Sequence, residues 1–264
     1  MKSRLAAVMH HGVPHSLYRR YRRRKIALQI SRYGPREVAH EYGGHRLREG
    51  WYDHDWEEPQ LISFLRELGI MSVGARVFDI GAHQGIVALM IARNVGSAGQ
   101  VVAVEAEPHN ARIAEVNRRL NEAENLTVVH AAGGSTAGFI SFAEGLNGHV
   151  DEATASGNVM VPTVTVDELA AEHGAPDLVL IDVEGYEERV LEGASATLDN
   201  GVTSFVIEVH ETLVAFGDSP RELLDRFDGF DTYVAEGEDR PFTPLQGAPP
   251  EGRFFLTAVP PRTR

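Results

Sequence analysis

Short apolar runs alternate with longer amphipathic stretches along most of this chain. The apolar runs at about 75–80, 100–105 and 126–130 have the length of buried strands, and apolar residues recur at helical spacing between them. The runs at 178–182 and 204–209 repeat this pattern. Buried strands that alternate with helices are typical of a parallel sheet covered by helices on both faces. The pattern therefore predicts an α/β fold.

A glycine-containing turn, Asp79-Ile80-Gly81-Ala82-His83-Gln84-Gly85, follows the first of these strands. Glycine lets a backbone come close to a ligand, because it can adopt positive φ and has no side chain. The dinucleotide fingerprint G-x-G-x-x-G would also need glycine at the positions that His83 and Ile86 occupy, so the spacing argues against NAD. The second strand ends at Glu105. An acidic residue at the end of both strands resembles class I S-adenosylmethionine-dependent methyltransferases.

A second motif, Ile181-Asp182-Val183-Glu184-Gly185-Tyr186-Glu187, follows the run at 178–182. Together with the glycine turn, Val164-Thr165-Val166-Asp167-Glu168-Leu169 and Ile207-Glu208-Val209-His210, it resembles the FkbM family of methyltransferases over roughly residues 55–215. The resemblance implies a Rossmann-like class I methyltransferase fold, with a mostly parallel seven-stranded sheet, and O-methylation of polyketide or sugar hydroxyls. Two positions depart from the family pattern: His83 stands where Asn is usual, and Ile181 where Lys commonly precedes the Asp.

The resemblance also implies where S-adenosylmethionine binds. Glu105 is expected at the ribose, and Asp79 is expected to orient the turn or to reach the methionine ammonium through water. Small residues after the third strand leave room for the adenine ring. The expected cofactor-binding residues are Asp79, Gly81, Ala82, His83, Gly85, Glu105, Ala106, Ala131, Ala132 and Asp182.

Acidic residues and a histidine follow two later strands, at Asp182 and Glu184 and at Glu208 and His210. Because ligands of open α/β sheets bind at the carboxyl ends of the strands, these side chains should converge beside the cofactor methyl group. A hydroxyl acceptor must lose a proton, and either His210 or Asp182 could accept it. We predict catalytic roles for Asp182, Glu184 and His210, although Asp182 could instead contact the methionine part of the cofactor. The four residues could hold Mg²⁺, but acidic groups often converge without a metal, and we predict no metal site.

Composition further limits the possible functions and partners. The chain has 264 residues and no cysteine, which excludes disulfides and zinc–thiolate sites. Its net charge is −13, yet residues 1–48 carry twelve Lys or Arg against two Glu. The acidic remainder has no general nucleic-acid footprint. The arginine-rich run at 19–25 is either a solvated arm or a contact with an anionic membrane or a partner. No apolar stretch is long enough to cross a membrane, so we expect a cytoplasmic protein.

These observations predict a basic N-terminal extension at 1–50 and a methyltransferase domain at 51–264, with a β-rich insertion at about 138–166. The long polar loop at 144–158 is a candidate lid. The expected acceptor is a hydroxylated small molecule, glycan or lipid. A methyltransferase that acts on RNA or protein, and a noncatalytic protein that retains the cofactor fold, remain as alternatives. The sequence does not predict the oligomeric state.

Overall fold

The computed structural model describes residues 40–42, 44–47, 60–143, 149–150, 159–237 and 240–261. The arginine-rich run at 19–25 and the predicted domain boundary at 50 and 51 lie outside the described residues, as does most of the candidate lid. In chain order the elements are β1 (His40–Tyr42), β2 (His45–Leu47), α1 (Gln60–Glu67), β3 (Arg76–Ile80), α2 (Ile86–Val95), β4 (Gln100–Glu105), α3 (Pro108–Leu120), β5 (Leu126–His130), β6 (Ala132–Gly133), β7 (Gly138–Ala143), β8 (His149–Val150), β9 (Val159–Val164), α4 (Val166–His173), β10 (Leu178–Ile181), α5 (Glu187–Glu192), α6 (Ser195–Asp199), β11 (Ser204–Val209), a 3₁₀ helix (Glu211–Phe216), α7 (Pro220–Asp225), β12 (Asp231–Ala235), β13 (Thr243–Pro244) and β14 (Phe254–Val259).

Within the described residues, the central sheet has eight strands in the order β13-β12-β14-β11-β10-β3-β4-β5. The five strands from β11 to β5 are parallel to one another. Strand β14 lies between β11 and β12 and runs antiparallel to both. The prediction of a mostly parallel α/β sheet is confirmed, and the strand beyond the predicted seven is the two-residue edge strand β13.

Both faces of the parallel strands β3, β4, β10 and β11 are buried, as their continuous apolar sequences predict, whereas the edge strand β5 is partly exposed. Phe78 and Ile80 pack into one half of the core, and Val77 packs into the other. Helix α1 covers the second half with Ile62 and Leu65, which are fully buried. Each such side chain contributes about 1.5–3 kcal/mol to folding.

Two element boundaries differ from those that the sequence pattern suggests. The apolar triplet 164–166 has strand-like residues, but the strand ends at Val164 and a helix begins at Val166. Thr165 and Glu168 form a capping box there, in which each side chain accepts a hydrogen bond from the backbone N–H of the other residue. The helical pattern after Glu187 is divided into α5 and α6.

Strands β7, β8 and β9, from the predicted insertion, form most of a second sheet. Strands β7 and β9 pair antiparallel, with Ile140 opposite Val161, and β6 pairs with β9. This sheet places Phe142 and Val150 beside the carboxyl ends of the central strands, where both side chains line a cleft.

Residues 44–47, which the sequence analysis assigns to the N-terminal extension, pack against the catalytic body. Leu47 is buried in the core, and the Arg93 guanidinium donates to the Gly44 carbonyl at 3.0 Å. The Asn121 side chain binds both the N–H and the carbonyl of Arg46, at 2.8 and 2.7 Å. This part of the extension is therefore built into the domain. Across the described residues, no helix has the length and apolar character needed to span a membrane.

Candidate active site

Four acidic residues reach one face of the sheet at the carboxyl ends of adjacent strands. Strand pairing places Asp79 beside Leu180 and Ala103, and Leu180 beside Val206. Because side chains alternate along a strand, the residues two positions further, Glu105, Asp182 and Glu208, face the same side. The sheet register therefore assembles the acidic site from residues far apart in the sequence.

The turn after β3 lies directly against the end of β10. Gly81 has φ +96°, and a side chain there would collide with the backbone carbonyl of Asp182. The N–H groups of Gly81 and Ala82 both bind the Val104 carbonyl, at 2.8 and 3.0 Å. His83 follows with φ +51°, which few residues other than glycine adopt. Glycine at 81 is thus required by a close backbone approach.

Backbone amides fix the Glu105 carboxylate. One oxygen accepts the N–H of His83 at 2.7 Å and the other accepts the N–H of Glu107 at 2.7 Å. Each oxygen keeps a lone pair for a further donor. Burial raises the pKa of Glu105 to about 7, although these two hydrogen bonds act in the opposite direction.

Two buried polar atoms beside Glu105 have no hydrogen-bond partner among the described residues. They are Oδ2 of Asp79 and Oε1 of Gln84, and both side chains line the cleft. Burial raises the pKa of Asp79 to about 7. A buried acceptor without a donor is costly, so these atoms indicate a ligand that carries N–H or O–H groups. The ammonium and ribose hydroxyls of S-adenosylmethionine fit the acceptors that Asp79, Gln84 and Glu105 present.

The cleft above these strand ends has a volume of about 330 Å³. Most of the sequence-predicted site residues line it, namely Asp79, Gly81, Ala82, His83, Glu105, Ala106, Ala131, Ala132, Asp182 and Glu184. Gly85 and His210 are not part of its lining. Gly85 instead begins α2 with φ +76°, and a side chain there would press against Ala114 of α3 at 3.2 Å. This glycine therefore allows close helix packing, and its direct contact with the cofactor stays a prediction.

Asp182 presents its carboxylate to the cleft, with 51% of the side chain exposed. Its pKa lies well above the ordinary value for Asp, first because the walls of the cleft shield it from bulk water and then because of the negative charge of Glu208. Glu184, two residues further, also lines the cleft and has φ +56°. Such strained backbone is often found at functional sites.

His210 lies behind the carboxylates that line the cleft, and only 8% of it is exposed. Its Nδ1 is 2.8 Å from Oε1 of Glu187, and its Nε2 is 3.3 Å from Oε1 of Glu208. Burial alone would lower the pKa of His210, but its hydrogen bonds to these two carboxylates raise the pKa to about 10. This raised pKa favours the protonated ring at neutral pH, and the role of His210 as a proton acceptor stays a prediction.

Several residues of the cleft were not predicted as site residues. Gly133 follows the two predicted alanines, and a side chain there would collide with Ile80. Phe255 lies opposite Glu208 in the antiparallel pair β11–β14 and lines the cleft. Arg253 also lines the cleft, and its Nε donates to Oε1 of Glu208 at 2.5 Å. The run of small residues could have indicated Gly133. No local motif indicates Arg253 or Phe255, because long-range strand pairing brings them to the site.

Asp182, Glu208 and His210 bring atoms of metal-binding types within 4.8 Å of one another. Arg253 and the protonated ring of His210 already pair with these carboxylates. These contacts form an ion-pair cluster, and the absence of a metal site stays a prediction.

Comparison with known proteins adds a family match. The model of the methyltransferase FkbM domain matches residues 79–236. The crystal structure of an FkbM methyltransferase from Methylobacillus flagellatus KT matches 72% of this chain, at 15% identity and a TM-score of 0.50. The match covers 44% of that protein's chain. A precorrin-6y C5,15-methyltransferase from Geobacter metallireducens has a TM-score of 0.47 at 14% identity, with 81% of this chain and 93% of that one covered. An O-methyltransferase from Thermotoga maritima has a TM-score of 0.45 at 18% identity, with 79% and 68% covered. Curated protein sequences give no significant match.

Proposed function

Since the chain belongs to the FkbM family of S-adenosylmethionine-dependent methyltransferases, whose model covers more than half of its length, we propose that it methylates a hydroxyl oxygen. The proposed acceptor is a sugar, glycan, lipid or polyketide-type small molecule. The observation that carries this proposal is the Asp182 carboxylate, which faces the cleft beside the acceptors suited to the cofactor.

The cofactor end of the cleft is assigned to β3, β4 and the small residues after β5. Glu105 accepts hydrogen bonds from the ribose hydroxyls, because each of its oxygens keeps a lone pair beside the backbone amide that holds it. Asp79 binds the methionine ammonium with the oxygen that lacks a partner among the described residues. Ala131 and Ala132 leave room for the adenine ring.

The acceptor end is assigned to Asp182 and Glu184. When bound, the cofactor supplies an electrophilic methyl group on its sulfonium. Asp182 takes the proton of the acceptor hydroxyl as the new oxygen–carbon bond forms and the carbon–sulfur bond breaks. The pKa of Asp182 lies above the ordinary value for Asp, which makes its carboxylate a stronger base than that of an exposed Asp. Glu184 orients the acceptor by accepting a hydrogen bond from a neighbouring hydroxyl.

Labelled methyl transfer tests the proposal. The protein would be incubated with S-adenosylmethionine carrying a labelled methyl group and with three acceptor sets: neutral glycosides and hydroxylated lipids, tRNA, and unfolded protein. We expect label on a hydroxyl of the first set. Transfer only to tRNA or protein would contradict the proposed acceptor class. Binding of S-adenosylhomocysteine without transfer to any set would favour the noncatalytic alternative.

Asp182→Asn tests the base. We expect turnover to fall by about 10²–10⁴-fold, because a positioned base contributes that much to the rate. The affinity for S-adenosylhomocysteine, measured by calorimetry, should change less than about threefold. Asp228→Asn, at an exposed position, is the matched control and should leave both quantities unchanged. If affinity falls in proportion to turnover, Asp182 belongs to the cofactor site.

A further inference from the structure

A buried pair of side chains stands behind the acceptor end of the cleft. Glu187 is fully buried, and its Oε1 is 2.8 Å from Nδ1 of His210. The same oxygen accepts the backbone N–H of Gly185 at 2.8 Å. Glu187 therefore fixes the orientation of the ring, which leaves Nε2 to face the cleft.

The Nε2 atom of His210 faces three carboxylates that line the cleft. It lies 3.3 Å from Oε1 of Glu208, 3.7 Å from Oδ1 of Asp182 and 3.8 Å from Oε2 of Glu184. Carboxylates this close repel one another, and repulsion favours protonation or displacement of at least one of them. A cation at their centre removes that tendency.

We propose that Glu187 and His210 form a positioning pair, in which Glu187 holds the ring as an imidazolium and the imidazolium holds Asp182, Glu184 and Glu208 in place as carboxylates. The proposal rests on the proposed function in one respect, namely that Asp182 is the base. The pair acts through Asp182, and His210 itself does not touch the acceptor.

The backbone around Glu187 and His210 is also held in place. The Thr212 hydroxyl donates to the Glu184 carbonyl at 3.0 Å, and a side chain at Gly185 would collide with Thr212. The turn that carries Glu184 and leads into Glu187 is thus fixed against the segment that follows His210. A rigid frame of this kind keeps the ring and the three carboxylates at constant distances.

Charged groups reach the ring from each of these elements. Strand β11 supplies Glu208, the turn after β10 supplies Asp182 and Glu184, and the first residue of α5 supplies Glu187. Arg253, just before β14, adds a second cation, whose Nε pairs with the same Oε1 of Glu208 that His210 approaches. The carboxylates around the ring outnumber the two cations, so the ring retains its proton at neutral pH.

The contribution of His210 to stability depends on pH in a direction set by the shift of its pKa. The pKa of His210 in the folded protein, about 10, lies above its ordinary value of 6.5. Its contribution to stability is therefore fully present below pH 6.5 and is lost as the pH rises toward 10. Methyl transfer near neutral pH takes place while the ring is charged.

Imidazole NMR of the wild-type protein labelled with ¹⁵N tests the charge directly and needs no acceptor. His210→Gln identifies the resonances. We expect both ring nitrogens to remain protonated from about pH 7 to about pH 9. A ring that is neutral at pH 7 would overturn the proposal, whether or not the protein methylates a hydroxyl.

The pH profile of turnover tests the positioning role. In Glu187→Gln and in His210→Gln, loss of the cation should raise the pKa of Asp182 and move the acidic limb of kcat upward by about one pH unit. Turnover at pH 6 should fall about tenfold and recover to within threefold at pH 9, with unchanged affinity for S-adenosylhomocysteine.

His173→Gln is the matched control, because His173 is also largely buried but lies on α4. It should leave the profile in place. A uniform loss of turnover at every pH in both test variants would mean that the pair is only structural, and would refute the proposed role. If Glu187→Gln fails to fold, the NMR measurement on the wild-type protein still decides whether the ring is charged. If His210→Gln fails to fold, His210→Asn identifies the resonances in its place.

Discussion

The two ends of the cleft are held in different ways. At the cofactor end, backbone groups fix the site: Glu105 is held by two amides, and Gly81 allows the turn to lie against the carbonyl of Asp182. At the acceptor end, side-chain charges fix the site, since His210 and Arg253 pair with carboxylates from separate elements. Backbone geometry is insensitive to pH, whereas ion pairs are not. The cofactor end should therefore be sensitive to changes of shape, and the acceptor end to changes of charge.

The largest effect on the cofactor end is expected from Gly81→Ala. The new side chain would collide with the Asp182 carbonyl and would also require φ near +96°. We expect affinity for S-adenosylhomocysteine to fall more than a hundredfold and the free energy of unfolding to fall by about 3 kcal/mol or more. Calorimetry and denaturant unfolding measure the two quantities.

Gly74→Ala is the control that measures the cost of backbone strain without a steric collision. Gly74 has a similar φ of +92°, but nothing lies within 4 Å of the position its side chain would take. We expect a loss of about 1 kcal/mol in stability and unchanged affinity. Equal losses in the two variants would mean that the close approach at Gly81 does not shape the site.

The difference between the two ends also explains what could be predicted from the sequence. Glu105 and Asp182 stand at the ends of apolar runs, so strand periodicity alone places them at the same edge of the sheet. The charge of His210 could not be predicted, because it depends on carboxylates from separate elements. Arg253 reaches the cleft only through the pairing of β14 with β11, a register that no local pattern specifies.

Contacts made by the backbone also could not be predicted from the sequence. Gly85 belongs to a motif that resembles a cofactor turn, yet its lack of a side chain serves the contact with Ala114. The hairpin at 40–47 was assigned to the extension because of its charge, whereas Asn121 holds it through the main chain of Arg46. Charge composition carries no information about such contacts.

A smaller loss of affinity is expected from Glu105→Ala. Two hydrogen bonds to the ribose would be lost, at a cost of about 1–3 kcal/mol in binding of S-adenosylhomocysteine. Because Glu105 also holds the amides of His83 and Glu107, the free energy of unfolding should be measured in parallel. Glu124→Ala, at an exposed position, is the control and should bind normally. Unchanged affinity in Glu105→Ala would refute the ribose assignment.

The smallest effect concerns pH and measures how far charge also acts at the cofactor end. Asp79 has a pKa of about 7, raised by burial, and the proposed contact with an ammonium requires its ionised form. Binding then releases a proton below pH 7, so the affinity for S-adenosylhomocysteine should rise about tenfold between pH 6 and pH 7.5 and level off above. Glu105 shares the raised pKa and strengthens the trend. Asp79→Asn should bind more weakly at pH 7.5 and show a shallower rise, since only Glu105 still titrates. A variant with the wild-type slope would show that Asp79 stays protonated in the complex, and the ammonium would then have to be bound by another group, such as the buried Oε1 of Gln84.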